Sequence, residues 1–245
     1  MNRIRNIVFT TFTTMAAFSI TTKALADFDI APAVDGGKIK TNAFEDATNT
    51  YVGNVRVFHY AFGDGPFFAQ DPGFHPQPGS GFGPGQQLSL SVATPLQYWN
   101  GIGSPSFGVL PSNESLKLQN GTPFLIIGST APGGTLNIAT TDSFGEFDHH
   151  LSSTLTGSGI NDPADGLYLT SFLLHNPGGT ALDSLPFYVI YNNNLSEDIE
   201  AIATISVRDN FAPLTNVVGV PEPTVTALLG IGGLLILRRR RTAIR

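Results

Sequence analysis

The chain contains no cysteine among its 245 residues, and charged side chains make up only 13% of it. The lack of cysteine excludes a disulfide framework, a thiol nucleophile and a zinc-thiolate site. The low charge, together with 27 glycines and 17 prolines, favours strands and turns over surface helices. Since 41% of the residues are hydrophobic, the chain is able to bury a real core. The composition therefore predicts a folded, mostly β protein.

Basic residues are scarce everywhere except at the two ends of the chain. The whole sequence has a net charge of -6, but the segment from Asp27 to Gly219 carries 18 acidic and five basic residues, which gives 5 - 18 = -13. A body with this charge repels phosphate backbones. We therefore expect no nucleic-acid partner.

The N-terminal segment has the pattern of a secretory signal peptide. A short basic start is followed by an uncharged stretch over residues 7–20, and small residues then stand at Ala24 and Ala26. This A-x-A arrangement is what signal peptidase accepts, so cleavage before Asp27 is predicted. Residues 1–26 are accordingly interpreted as a signal peptide, and the protein is expected to be exported.

The C-terminal segment combines three features in order. A Val-Pro-Glu-Pro sequence precedes 14 uncharged residues, 224–237, and a run of four arginines follows. As a helix, the uncharged stretch reaches about 21 Å, which is short against a hydrocarbon core of about 30 Å. Snorkelling arginine side chains would extend the span and hold the C-terminus in the cytoplasm. The residues concerned are Val220, Pro221, Glu222, Pro223, Arg238, Arg239, Arg240 and Arg241.

This combination resembles the PEP-CTERM sorting signal of bacterial envelope proteins. The resemblance covers residues 217–245 and implies that an exosortase processes the tail near the Pro-Glu-Pro triplet. It also implies an inner-membrane intermediate anchored through residues 224–237, followed by transfer of the ectodomain to the cell envelope or the exterior. Because Pro221 and Pro223 hold the chain extended, Glu222 is expected to be accessible to an enzyme groove.

The body between these signals, residues 27–216, is predicted to be a single all-β domain. Short β-like runs separated by turn residues are typical of a β-sandwich, and a jelly roll is one form that such a sandwich takes. The run at 166–175 is apolar on both faces and is expected to be a central strand. The predicted strands are 51–62, 87–92, 114–119, 123–128, 135–140, 147–155, 166–175 and 186–192.

Two segments of the body depart from the strand pattern. Residues 63–87 contain seven glycines and five prolines, which argue against any regular element and predict a long loop that packs phenylalanines onto the core. Residues 195–209 have Ser196 as a potential N-cap and acidic residues in the first turn, which predicts a short C-terminal helix. A strand at 203–207 is the alternative.

The histidines suggest one candidate metal site. Alternation along the strand at 147–155 places His149 and His150 on opposite faces, with Asp148 beside His150. Asp148 and His150, together with His59 or His75, would form a histidine and carboxylate site that zinc accepts. The alternative is that His149 belongs to the core and that His150 is solvated or paired with a carboxylate.

No established catalytic motif is present in the sequence. The G-x-S-x-G, H-E-x-x-H, S-x-x-K and P-loop patterns are all absent. The sequence therefore predicts a non-enzymatic protein of the cell surface or extracellular matrix, with a binding or structural ectodomain. Two alternatives stay open: a zinc-binding envelope protein, and a hydrolase of envelope glycans with two converging carboxylates.

Overall fold

The computed structural model describes residues 28–77, 79–213 and 215. Within these residues the chain forms fourteen strands and one helix, so the prediction of a mostly β protein with one C-terminal helix is confirmed. The elements are β1 (Asp29–Asp35), β2 (Lys38–Glu45), β3 (Thr50–Val52), β4 (Val57–Ala61), β5 (Phe68–Ala69), β6 (Gly73–Phe74), β7 (Gln87–Trp99), β8 (Ser115–Gln119), β9 (Phe124–Ile127), β10 (Thr135–Thr140), β11 (His149–His150), β12 (Ser152–Thr156), β13 (Gly166–His175), β14 (Phe187–Asn193) and α1 (Glu197–Phe211).

The strands are arranged in three sheets. The central sheet has the order β10-β7-β13-β14-β4, and it is antiparallel except for the parallel pair β14·β4. A second sheet has the order β11-β6-β1-β2-β3, and a third has the order β5-β12-β8-β9. This arrangement is consistent with an all-β sandwich. The sequence did not predict the division into three sheets.

Strand β13 occupies the middle of the central sheet, as its apolar sequence predicted. Tyr168 and Phe172 face the main core between the sheets, whereas Leu167 and Leu169 face a smaller core beneath α1. Every residue from Gly166 to Phe172 is buried. The strand therefore supports both layers that pack against it.

The N-terminal hairpin of β1 and β2 was missed by the sequence analysis. The two strands are joined by Gly36 and Gly37, which have φ values of 59° and 77°. Positive φ at both central positions is what a two-residue hairpin turn requires, and glycine adopts it without steric cost. This hairpin matters for function because Asp29, at its first position, lies in the candidate site described below.

The predicted loop at 63–87 does pack onto the core, since Phe74 is fully buried and Phe82 is 6% exposed. The expectation that it contains no regular element is wrong. Its short strands β5 and β6 pair with β12 and with β1 and β11, respectively. Through these pairings the loop joins two of the three sheets.

Three strand predictions need correction. The run at 51–62 is divided into β3 and β4, and the run at 147–155 is divided into β11 and β12. The run at 87–92 continues to Trp99 as β7, because β13 offers a paired edge along that length. The strands at 135–140 and 166–175 agree with the sequence analysis at both ends.

The predicted helix is confirmed as α1, with three acidic residues in its first turn. Ser196 does occupy the N-cap position, but its side chain makes no capping hydrogen bond. Ala203 and Val207 pack against the central sheet, whereas Ile202 is 54% exposed. The helix contacts β4 and β14, so it covers one edge of that sheet.

No helix of the described region is both long and apolar enough to cross a membrane. The predicted processing signals lie outside the described residues. They comprise Ala24, Ala26, Val220, Pro221, Glu222, Pro223, Arg238, Arg239, Arg240 and Arg241.

Candidate functional site

A polar cleft of about 340 Å³ opens where the second sheet meets the loop at 63–87. Strand β1 supplies Asp29, and β11 supplies His150. These two residues come close because β6 pairs with β1 on one side and with β11 on the other. The cleft is lined by Asp29, Phe44, Asp46, Asp64, Gln70, Asp71 and His150.

Three carboxylates lie within 4.0 Å of His75 or His150, and Asp29 is the least exposed of them. Its side chain is 12% exposed, and its Oδ2 atom lies 3.9 Å from Nε2 of His150. Burial raises the pKa of the Asp29 carboxyl above its ordinary value, and the neighbouring Asp148 and Asp46 carboxylates act in the same direction. His150 and His75 oppose the shift. The carboxylate is therefore held in a position where additional positive charge would stabilise its ionised form.

His150 is fixed by a hydrogen bond at one ring nitrogen. Its Nδ1 lies 3.0 Å from the backbone oxygen of Gln70, and its Nε2 lies 3.6 Å from Oδ1 of Asp148. His149 turns to the other side of the strand, where its Nε2 lies 2.8 Å from Oδ1 of Asn120. Burial lowers the pKa of His149, and the charge of His150 lowers it further. The predicted opposite orientation of the two histidines is confirmed.

His75 comes from the loop that follows β6. Its backbone N–H donates to the oxygen of Ile30 at 2.8 Å, and its ring packs against Phe44 with centroids 4.5 Å apart. The Nδ1 atom is buried and has no hydrogen-bond partner among the described residues, and it lies 4.0 Å from Oδ1 of Asp46. A buried nitrogen without a hydrogen bond is unusual in a folded protein.

Two triplets of potential ligands share Asp29. Ligand atoms of Asp29, Asp71 and His150 all lie within 4.8 Å of one another, and the same holds for Asp29, His75 and Asp148. Three of the four residues that the sequence analysis named therefore lie near Asp29: His150 in the first triplet, and His75 and Asp148 in the second.

His59 does not belong to this cluster, so its inclusion was wrong. It lies on β4, its side chain is 3% exposed, and its Nδ1 is 2.9 Å from Oε1 of Glu200 on α1. Oε2 of Glu200 accepts a hydrogen bond from Asn192 at 2.7 Å. The parallel pairing of β4 with β14 carries His59 under the helix and away from the loop at 63–87.

Asp29 and Asp71 were missed by the sequence analysis. Asp29 lies on a strand that was not predicted, and Asp71 lies in the segment predicted to be a long loop over the core. For Asp29 the sequence does contain a signal. The glycine pair at 36–37 indicates a hairpin turn, which places Asp29 at the start of a hairpin strand.

A second histidine cluster has the residue types of a catalytic triad. Oγ of Ser91 lies 2.7 Å from Nε2 of His175, and Nδ1 of the same ring lies 2.9 Å from Oδ1 of Asp183. The sequence offered no motif for this set, because the three residues come from β7, from the end of β13 and from the loop that follows β13.

Hydrolytic use of this second cluster needs more than the three side chains. A triad works with backbone donors for the oxyanion and with a buried aspartate. At Ser91, β7 lies between β10 and β13, so the neighbouring backbone N–H groups are directed into two ladders. Asp183 is 60% exposed. This arrangement is that of a hydrogen-bonded surface network.

Comparisons with known proteins give few matches to this chain. No family model matches it, and no curated protein matches it. Among solved structures it is similar to the CooA pilin subunit from enterotoxigenic Escherichia coli, with 10% sequence identity and a TM-score of 0.27. The match covers 57% of this chain and 90% of the pilin chain. A similarity at this TM-score supports no argument about function.

Proposed function

We propose that the protein is an exported envelope or extracellular matrix protein whose β-sandwich body, residues 27–216, serves binding or structure without catalysis. The observation that carries the proposal is the position of the predicted signals relative to the folded body. Strand β1 begins at Asp29, just after the A-x-A site ending at Ala26, and α1 ends at Phe211, before the triplet at Pro221. Removal of both predicted signals would thus leave every strand and the helix intact.

Sorting by an exosortase is tested by deleting Pro221–Pro223 from the full chain in a host that contains the enzyme. We expect the variant to remain in the membrane fraction with its C-terminal tail still attached, as shown by its mass. The reason is that the extended triplet is the proposed recognition element. A deletion of Leu214–Asn216 removes the same number of residues and serves as the control. If both deletions are processed and released like the parent chain, the sorting proposal is wrong.

Export through signal peptidase is tested by N-terminal sequencing of the protein recovered from the envelope. The expected first residue is Asp27, since Ala24 and Ala26 fit the two small-residue pockets of the peptidase. Recovery of a chain that still begins with Met1 would contradict export by this route.

The non-catalytic role is tested against the glycan hydrolase alternative. That alternative has one favourable observation, since ligand atoms of Asp29 and Asp71 lie within 4.8 Å in an open cleft, near the ~5 Å carboxyl separation of retaining glycosidases. We expect no reducing ends to be released from cell-wall or capsular glycans by the full chain. Release that is abolished by Asp71→Asn, but not by Asp64→Asn, would establish hydrolysis and overturn the non-catalytic proposal.

A further inference from the structure

We propose that the cleft around Asp29 binds one Zn²⁺ ion, with Asp29, His75, Asp148 and His150 as ligands. This inference is independent of how the protein is sorted. It rests on two triplets of potential ligand atoms that share Asp29, on the contacts of His150 with Asp29 and Asp148, and on one glycine.

The hydrogen bond of His150 determines which of its nitrogens faces the carboxylates. The backbone oxygen of Gln70 is only an acceptor, so Nδ1 of His150 carries the hydrogen. In the neutral ring, Nε2 then directs a lone pair towards Asp148 at 3.6 Å and Asp29 at 3.9 Å. Histidines that bind metals commonly donate their second N–H to a backbone carbonyl in this way.

A lone pair opposed by two carboxylates is electrostatically unfavourable unless a positive charge lies between them. A bound cation would supply that charge. With metal–ligand distances of about 2.0–2.1 Å, tetrahedral ligand atoms are separated by ~3.4 Å. The observed 3.6 and 3.9 Å are close to this value. The Asp148 side chain is 58% exposed, so a small rotation is open to it.

Gly73 makes the approach of Asp29 and His150 sterically feasible. A Cβ atom at this position would lie 2.0 Å from Oδ1 of Asp29 and 2.6 Å from Cε1 of His150. Any other residue would therefore occupy the space that the carboxylate and the imidazole now share over β6. The backbone at this position is shaped to let two potential ligands converge.

His75 adds the second imidazole. Its buried Nδ1 makes no hydrogen bond among the described residues, although leaving such a group unsatisfied is costly. A ligand atom of this side chain lies within 4.8 Å of those of Asp29 and Asp148. Participation of the ring in metal binding gives it a role that the packing against Phe44 alone does not provide.

The ligand types select the ion. Ca²⁺ prefers six to eight oxygen ligands, whereas imidazole nitrogens combined with a few carboxylates suit Zn²⁺. Two of the four proposed ligands are histidines. We therefore expect Zn²⁺ to bind and Ca²⁺ to compete poorly.

The proposal is tested by titrating Zn²⁺ into the full chain after exhaustive treatment with a chelator, with Ca²⁺ in a parallel titration. We expect one Zn²⁺ per chain and a loss of affinity of at least about tenfold in both Asp29→Asn and His150→Gln. His149→Gln is the matched control, because the neighbouring ring faces Asn120 on the other side of the strand. Its affinity should equal that of the parent chain.

A second measurement does not depend on variants. In histidine ring NMR spectra, Zn²⁺ should shift a nitrogen of His75 and Nε2 of His150, and it should leave the nitrogens of His59 and His149 unchanged. Unaltered affinity in both ligand variants, shifts confined to other histidines, or binding of Ca²⁺ in preference to Zn²⁺ would each overturn the proposal. Absence of stoichiometric Zn²⁺ binding would likewise overturn it.

Discussion

Two regions of the molecule pair histidine with carboxylate and use the pair differently. Beneath α1, His59 and Glu200 have side chains 3% and 5% exposed, and their contact is 2.9 Å. In the cleft, His150 and Asp29 are 45% and 12% exposed and 3.9 Å apart. The first pair is closed and joins a helix to a sheet. The second is open on one side, and its contact is too long for a hydrogen bond.

The largest effect is expected when the closed pair is broken. Glu200→Ala removes the carboxylate next to His59 and the acceptor of the Asn192 hydrogen bond, all in a buried setting. Leaving a buried donor or acceptor unsatisfied costs about 1–3 kcal/mol. We expect the free energy of unfolding, measured by urea denaturation, to fall by that amount.

Glu197→Ala is the control for this prediction. It removes an exposed carboxylate from the first turn of the same helix, so the expected change is within about 0.5 kcal/mol. If Glu200→Ala is as mild as Glu197→Ala, the pair beneath α1 does not fix the helix and the contrast between the two regions disappears.

Zinc should stabilise the protein through the cleft alone. At a free Zn²⁺ concentration of 100 times the dissociation constant, binding to the folded state adds about 2.7 kcal/mol to the free energy of unfolding. We expect this gain in the parent chain and also in Glu200→Ala, because the two regions are separate. Asp29→Asn should show little of it at the same zinc concentration. An equal gain in all three proteins would place the zinc elsewhere.

Gly73→Ala should separate stability from zinc binding. The new methyl group would displace the ends of the Asp29 and His150 side chains rather than backbone atoms. A cost of about 1 kcal/mol is typical of single substitutions. Zinc affinity should fall at least tenfold, as in the ligand variants. Chelator competition and urea denaturation measure the two quantities. Unchanged zinc affinity would show that the close approach over β6 has no role in binding.

The contrast between these regions also explains what the sequence could and could not predict. The buried strand at 166–175 and the helix at 197–211 follow from local patterns, namely apolar residues on both faces and acidic residues in a first turn. The location of His59 does not follow from a local pattern, because it depends on the parallel pairing of β4 with β14, which lie far apart in the chain. Local alternation placed His150 beside Asp148 correctly.

The remaining proposed ligand, Asp29, lies on a hairpin strand that contains Pro32. Proline has no N–H and argues against a central strand, but on β1 it faces Thr41 of β2 only. The turn at 36–37 carried the opposite signal. The glycine pair thus indicates the strand from local sequence, whereas the proximity of Asp29 to His150 depends on β6, a strand of two residues with no periodicity to detect.

The smallest effect concerns Asp142, which orders the turn before Asp148 and His150. Backbone N–H groups of Glu146 and Phe144 donate to its Oδ1 at 3.0 and 2.8 Å, and these bonds lower the pKa of the Asp142 carboxyl. The folded state thus favours the ionised form, so its contribution is present above the unfolded pKa and is lost as pH falls through the folded pKa. Asp142→Asn should therefore be slightly less stable than the parent chain near neutral pH, and the difference should shrink below about pH 4, near the ordinary aspartate value. Urea denaturation at several pH values measures it. A difference that stays constant with pH would mean that the charge of Asp142 contributes nothing to the turn.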